Sequence, residues 1–162
     1  MSVDLSTRIT APIHLKHLLP GVAWILADLL GIETPPSLTL DMMQDGKRLQ
    51  AATDELRDRS SPFFLVSIQN EPESVGVQTD GEYLNVVMAA RRTPLEYGLG
   101  AAVVIAVARE SGEPIEDDGR FFYPAVKATS EEIFDEIRVQ SEVPPRSLRE
   151  TAAQLRLRGD YE

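Results

Sequence analysis

The chain has 162 residues, 43% hydrophobic and 26% charged, which suffices to bury a sizeable core in one domain and is too apolar for wholesale disorder. It contains no cysteine, so disulfides, thiolate metal sites and cysteine nucleophiles are excluded together. The formal net charge is −10, with 15 acids against 6 bases between residues 71 and 142, a balance that repels phosphate backbones and anionic lipid.

A basic protein is the partner such a surface fits; nucleic acid and membrane are not expected. The longest apolar run, Leu99 to Ala108, is about half of the roughly 20 residues a membrane helix needs. "MSVDLSTRIT" places no apolar stretch behind a basic start, so the expectation is a soluble, cytoplasmic protein.

In chain order, Val3, Leu5, Thr7 and Ile9 alternate with other residues and predict a half-buried strand. From Ile13 to Ile32 the period becomes helical, with Leu15, Leu18, Leu19, Val22, Ile25, Leu26, Leu29 and Leu30 in a broad stripe. Pro20 and Gly21 interrupt it, so the helix either kinks there or restarts with Pro20 in a first turn. Gly31 and "TPPS" close the segment, and "LTLDMM" alternates as a second strand that ends on the tight-turn pair Asp45-Gly46. The charged "RLQAATDELRDR" (48–59) is expected as a short helix. Three strands follow, Phe63 to Gln69, Ser74 to Thr79 and Glu82 to Ala90, the last two joined as a hairpin through Asp80-Gly81.

The next helix has well-marked ends. Thr93 and Glu96 form a capping box, Pro94 takes the first helical position, and Gly112 is the stop. Because Leu99 to Ala108 is apolar nearly all round, this element, about 93–111, is expected to be a central helix covered by the sheet on one face and by helices on the other. "EPIEDDGRFFYP" reads as a short strand, a turn at Asp118-Gly119 and a return strand through Phe121, Phe122 and Tyr123. A helix from about Ser130 to Val139 is capped by Thr129 with Glu132, and a last helix opens on Ser147 with Glu150 and aligns Leu148, Ala152 and Leu155. The whole predicts one α+β domain over residues 1–162, with a mostly antiparallel sheet packed against the buried helix and additional N- and C-terminal helices.

No stretch carries a catalytic or cofactor-binding motif. Gly98 and Gly100 fail the dinucleotide fingerprint, since the capping box puts both inside the helix and the third glycine position is Val103. Close approach to a neighbouring element must then offset the cost of about 1 kcal/mol that each glycine carries in a helix interior. Arg91, Arg92 and Thr93 lie where a strand ends and a helix begins, and form a candidate anion-binding site; the alternative is that the arginines neutralise nearby acids. Glu113, Glu116, Asp117 and Asp118 offer hard oxygens without calcium-loop spacing, so a turn is the simpler reading and no metal is expected there. His14 and His17 are half of a zinc site that only a carboxylate could complete, and read as helix-surface residues. Glu116, Asp117 and Asp118 with Phe121 and Phe122 would combine an aromatic anchor with negative charge, and are the candidate partner-binding surface.

Two resemblances bear on function. "LEYGLG" between a strand and a helix is similar to the acyl-CoA-binding segment of the GNAT acetyltransferases, Arg/Gln-x-x-Gly-x-Gly/Ala; Leu95 stands where that arginine or glutamine belongs, and Glu96 adds a charge that opposes anion binding. Tyr83 to Tyr123, with a strand ending near "RT", the helix "AAVVIAVARESG" and then "IEDDGRFF", resembles a pattern in small uncharacterised bacterial proteins, some of them immunity proteins of toxin systems. That resemblance implies a protein-binding inhibitor and transfers no catalytic residue. The expected function is therefore a non-enzymatic, acidic protein-binding module of the immunity type, with no cofactor. The alternative is a small-molecule anion binder or degenerate GNAT-like acyltransferase using Arg91 and Arg92. An exposed acidic and aromatic patch is required by the first, a pocket at the helix N-terminus by the second.

Overall fold

The computed structural model describes residues 3–50, 55–56, 63–88, 93–117, 120, 122–140 and 147–158. In chain order these form β1 (Val3–Arg8), β2 (Ile13–His14), α1 (Leu15–Leu30), β3 (Leu38–Gln44), β4 (Lys47–Gln50), β5 (Glu55–Leu56), β6 (Phe63–Ile68), β7 (Ser74–Asp80), β8 (Tyr83–Met88), α2 (Pro94–Ser111), β9 (Ile115–Glu116), β10 (Lys127–Ala128), α3 (Ser130–Ile137) and α4 (Leu148–Ala152). Eight strands make one antiparallel sheet in the order β10-β9-β1-β8-β7-β6-β3-β4, and β2 pairs with β5 separately. The expected α+β class, with its antiparallel sheet, is what the chain adopts. No helix among the described residues is long and apolar enough to cross a membrane.

Register sets the core face. Leu5 lies opposite Val86, Val86 opposite Val77, Val77 opposite Phe64, and Phe64 opposite Met42, so one row of apolar side chains crosses five strands on one side of the sheet. Leu5, Phe64, Val77 and Val86 in that row are fully buried. Burying a side chain of this size is worth roughly 1.5–3 kcal/mol, so the row by itself outweighs several local propensities.

Against this face lies α2, buried from Leu95 to Ala108 without a break. β1, β7 and β8 contact it from the sheet, α1 from one flank, and α3 and α4 from others. The expected burial on more than one side is therefore found. Thr93 Oγ1 accepts the Glu96 N–H at 3.2 Å, which is one of the two bonds of the expected capping box, Pro94 opens the first turn, and Gly112 at φ 73° ends the helix. The two internal glycines serve different neighbours. A Cβ on Gly100 would collide with the buried Met88 sulfur of β8, whereas one on Gly98 would stand 2.9 Å from Leu155, beyond α4, and 3.5 Å from Leu26 of α1. Gly100 gives close approach to the sheet, and Gly98 gives it to the other helices.

α1 runs unbroken from Leu15 to Leu30 with Pro20 inside it, so the expected interruption is neither a stop nor a restart.

Two expected elements differ. Residues 47–50 are a strand and not the start of a helix, because Asp45 (φ 51°) and Gly46 (φ 75°) both take the left-handed conformation of a two-residue hairpin turn and send the chain straight back along β3. Arg48 then reaches across the strands to Asp41 at 2.6 Å and Ser67 at 2.8 Å. The rest of the expected 48–59 helix lies outside the described residues, apart from Glu55 and Leu56 in β5.

The second difference is at β9, which pairs with β1 and β10 and not with a strand through Phe122 and Tyr123. The Asp117 carboxylate accepts the backbone N–H groups of Phe122 at 2.6 Å and Tyr123 at 3.2 Å, replacing the ladder that a return strand would have made. The expected turn residues Asp118 and Gly119 lie outside the described residues. α3 ends at Ile137 and carries the full capping box of Thr129 with Glu132. α4 is only five residues long, so Leu155 reaches α2 from the turn beyond it.

The helical glycines make opposite predictions. Gly100→Val should cost about 2–3 kcal/mol in urea unfolding through overpacking against Met88. Gly21→Ala, whose Cβ meets nothing within 4 Å in α1, should gain about 0.5–1 kcal/mol. A stabilised Gly100→Val protein would contradict the packing described.

Candidate functional site

The most heavily buried charge in the described structure sits at the N-terminus of α2. The β6–β7 turn, with Asn70 at φ 66°, brings Glu73 there at 0% exposure. Its Oε1 accepts from the Thr93 hydroxyl at 3.2 Å and from the Arg149 guanidinium at 2.8 Å, and Arg149 also reaches Glu71 at 3.5 Å. Glu73 Oε2 is buried without a hydrogen-bond partner among the described residues. Glu96, also at 0% exposure, lies one helical turn inside the same end. Backbone N–H groups and the helix dipole favour an anion at this place, and the chain supplies its own.

Of the expected anion site, Thr93 alone lies among the described residues. Thr93 donates its hydroxyl to Glu73 and accepts from the Glu96 N–H, so both of its functions are engaged internally. Arg91 and Arg92 lie outside the described residues. Four clefts on the described surface are lined by residues 8–12 with Glu82; by 31–34 with Ser147, Leu148 and Thr151; by the C-terminal end of α2 with 129–131; and by Pro12–His14 with His17, Leu18 and Glu110. Thr93 lines none of them.

Of the expected partner surface, Glu116, Asp117 and Phe122 lie among the described residues, and two of these three are buried. Asp117 is 1% exposed and spends one oxygen on two backbone N–H groups. Phe122 is fully buried and meets Tyr97 of α2 edge to face, ring centres 6.1 Å apart. Of the group proposed for contact, Glu116 is part-exposed and pairs with Lys127 at 3.4 Å, while Asp118 and Phe121 lie outside the described residues. The segment is a clasp over α2 because a short-side-chain acid captures the backbone that follows it.

A different surface residue stands out. Trp24, the single tryptophan, is 55% exposed on α1. It belongs to a stripe with His17, Pro20, Gly21, Asp28 and Gly31, all exposed, while Val22, Ala23, Ile25, Leu26 and Ala27 beside it are buried. The sequence held this signal: Trp24 is absent from the apolar stripe of the helix, and a large aromatic off that stripe must face out. The Glu73–Arg149 pair had no such signal, since its partners are far apart in the chain and belong to no motif.

The histidines form the last group. His14 and His17 have ring centres 5.5 Å apart, and Glu110 from the last turn of α2 lines the same cleft. Both histidines are exposed, as expected. No family model, curated protein or solved structure matches the chain.

Removing the counter-charge of Glu73 should be costly. Arg149→Ala is expected to lose about 2–3 kcal/mol by urea unfolding, and Glu73→Gln in that background should recover part of it, because the stranded carboxylate is gone; additive losses would refute the pairing. A second prediction concerns Glu132, whose carboxyl is held below its ordinary range chiefly by the Tyr123 hydroxyl at 2.6 Å and then by Thr129. A lowered carboxyl pKa stabilises the fold above the ordinary carboxylate range, and the contribution is lost as pH falls through the lowered value. Carboxyl NMR titration of Tyr123→Phe should show the Glu132 midpoint moved up towards its ordinary value.

Proposed function

We propose that the chain is an acidic, non-enzymatic protein-binding module, an immunity-like inhibitor of a basic protein, whose contact surface is the solvent-facing stripe of α1 anchored by Trp24. The observation that carries this reading is the half-exposed Trp24, a large aromatic held on a rigid helix whose other faces are buried. Tryptophan is among the residues that most often dominate binding energy, because it brings much apolar area at little entropic cost. Asp28, one turn on, and Glu33 beyond the helix end put negative charge beside the anchor. The net charge of −10 steers a basic partner towards the protein over longer range.

The anion-binding or acyltransferase alternative loses support from Glu73 and Glu96, which fill the helix N-terminus with carboxylate.

Immobilised protein should retain a basic partner from a lysate of the source cells, and both Trp24→Ala and Asp28→Lys should release it. With the purified partner, Trp24→Ala should weaken Kd by about 30-fold or more, equivalent to about 2 kcal/mol. Binding should also shift the emission of the single tryptophan to the blue. Retention that is equal in wild type and both variants would sink the reading.

A further inference from the structure

We propose that two copies of this chain pack together, sheet on sheet, across the face of the eight-stranded sheet turned away from the helices, forming a reversible dimer. α2 contacts β1, β7 and β8, α1 contacts α2 and β3, and α3 and α4 contact α2, so the described helices are gathered on the side of the core row. Strand alternation puts the other set of side chains on the opposite side. Of these, β6 contributes Phe63 and Leu65, β8 contributes Tyr83 and Val87, and Met43 of β3 lies opposite Phe63. Tyr83 is 38% exposed and the other four are part-exposed. An antiparallel sheet with one face in water ordinarily turns polar residues to that face, and β6 and β8 depart from this. A Cβ on Gly76, opposite Leu65, would collide with the Phe63 ring, so the ring lies against the β7 backbone and the apolar surface runs flat across three strands.

Charge and size select the occupant. The strand positions on this face carry Arg8, Arg48 and Lys127 against Asp4, Asp41, Asp80 and Glu116, three bases against four acids in a chain of net charge −10. Arg48 pairs with Asp41 at 2.6 Å, Lys127 with Glu116 at 3.4 Å, and Arg8 reaches Glu82 at 3.0 Å. A basic partner gains little steering from such a face. Two molecules of charge −10 repel one another, and they approach at least cost across the face that adds almost none of that charge. At about 3.4 Å per residue and about 4.8 Å between strands, the strands make a face of roughly 650 Å². Stable complexes bury about 800 Å² per partner and smaller contacts are weaker, so a second copy of the same face fits with an affinity in the micromolar range.

Sedimentation equilibrium of the full-length protein across the micromolar range, at low and at moderate salt, tests this. The expected result is a monomer–dimer equilibrium that tightens as salt is raised, because screening weakens the repulsion between two acidic chains and leaves apolar contact intact. Leu65→Lys and Val87→Lys should each weaken the dimer by about tenfold or more, since each sets a charge into the contact. Both changes make the chain less negative, so the weakening cannot come from overall repulsion. Gln78→Lys exchanges one exposed polar side chain on the same face for another; it should weaken the dimer too, and it decides the matter where an apolar-site variant fails to fold. Trp24→Ala should leave the dimer intact, and tryptophan emission should be the same in monomer and dimer, so the result stands apart from partner binding at α1. A monomer at every concentration and salt, a dimer that loosens as salt is raised, one that all three lysine variants retain, or one that Trp24→Ala dissociates would overturn the proposal.

Discussion

The structure depends on burying one helix almost completely. α2 is buried without a break from Leu95 to Ala108 and is apolar nearly all round from Leu99 onward, and no single layer can cover a cylinder of that kind. The antiparallel sheet takes one side, and the remaining sides draw in α1, α3 and α4. Burial then creates a second requirement at the helix ends, where unpaired backbone groups have little water to turn to. At the N-terminus the Thr93 hydroxyl accepts the Glu96 N–H and is itself held by Glu73; at the C-terminus Gly112 returns its N–H to Ala108 at 2.8 Å.

That arrangement explains why a place that suits an external anion on general grounds is occupied from within. Glu73 is brought there by a turn between strands, and Arg149 by the segment that follows α3, so the two charges meet only when sheet and helices are assembled. A buried carboxylate needs its partner far more than an exposed one does. The other ion pairs described, such as Arg8 with Glu82 and Lys127 with Glu116, have no fully buried member and carry correspondingly less of the stability.

What could be read from the sequence follows the range of the interactions involved. The limits of α2 were legible because caps and the glycine stop are local, and so was the Asp45-Gly46 turn. The strand after that turn was not, because "KRLQ" has no strand preference of its own and takes its conformation from β3. Residues 115–123 were legible as strand and turn in part only: alternation cannot reveal that Asp117 folds back to hold the amides of Phe122 and Tyr123. The acidic and aromatic character there was read as surface, whereas Asp117 and Phe122 are buried. Trp24 was present in the pattern as a residue that the apolar stripe leaves out.

The Leu155–Gly98 contact has a consequence for the order in which the molecule can be completed. Residues 147–158 follow in the chain nearly everything they pack against, so during synthesis the notch at Gly98 and the Glu73 carboxylate stand uncovered until this segment emerges. Until then the newly made protein carries an apolar helix open along one flank. The interval before α4 docks is when the chain is most exposed to chaperones and to self-association.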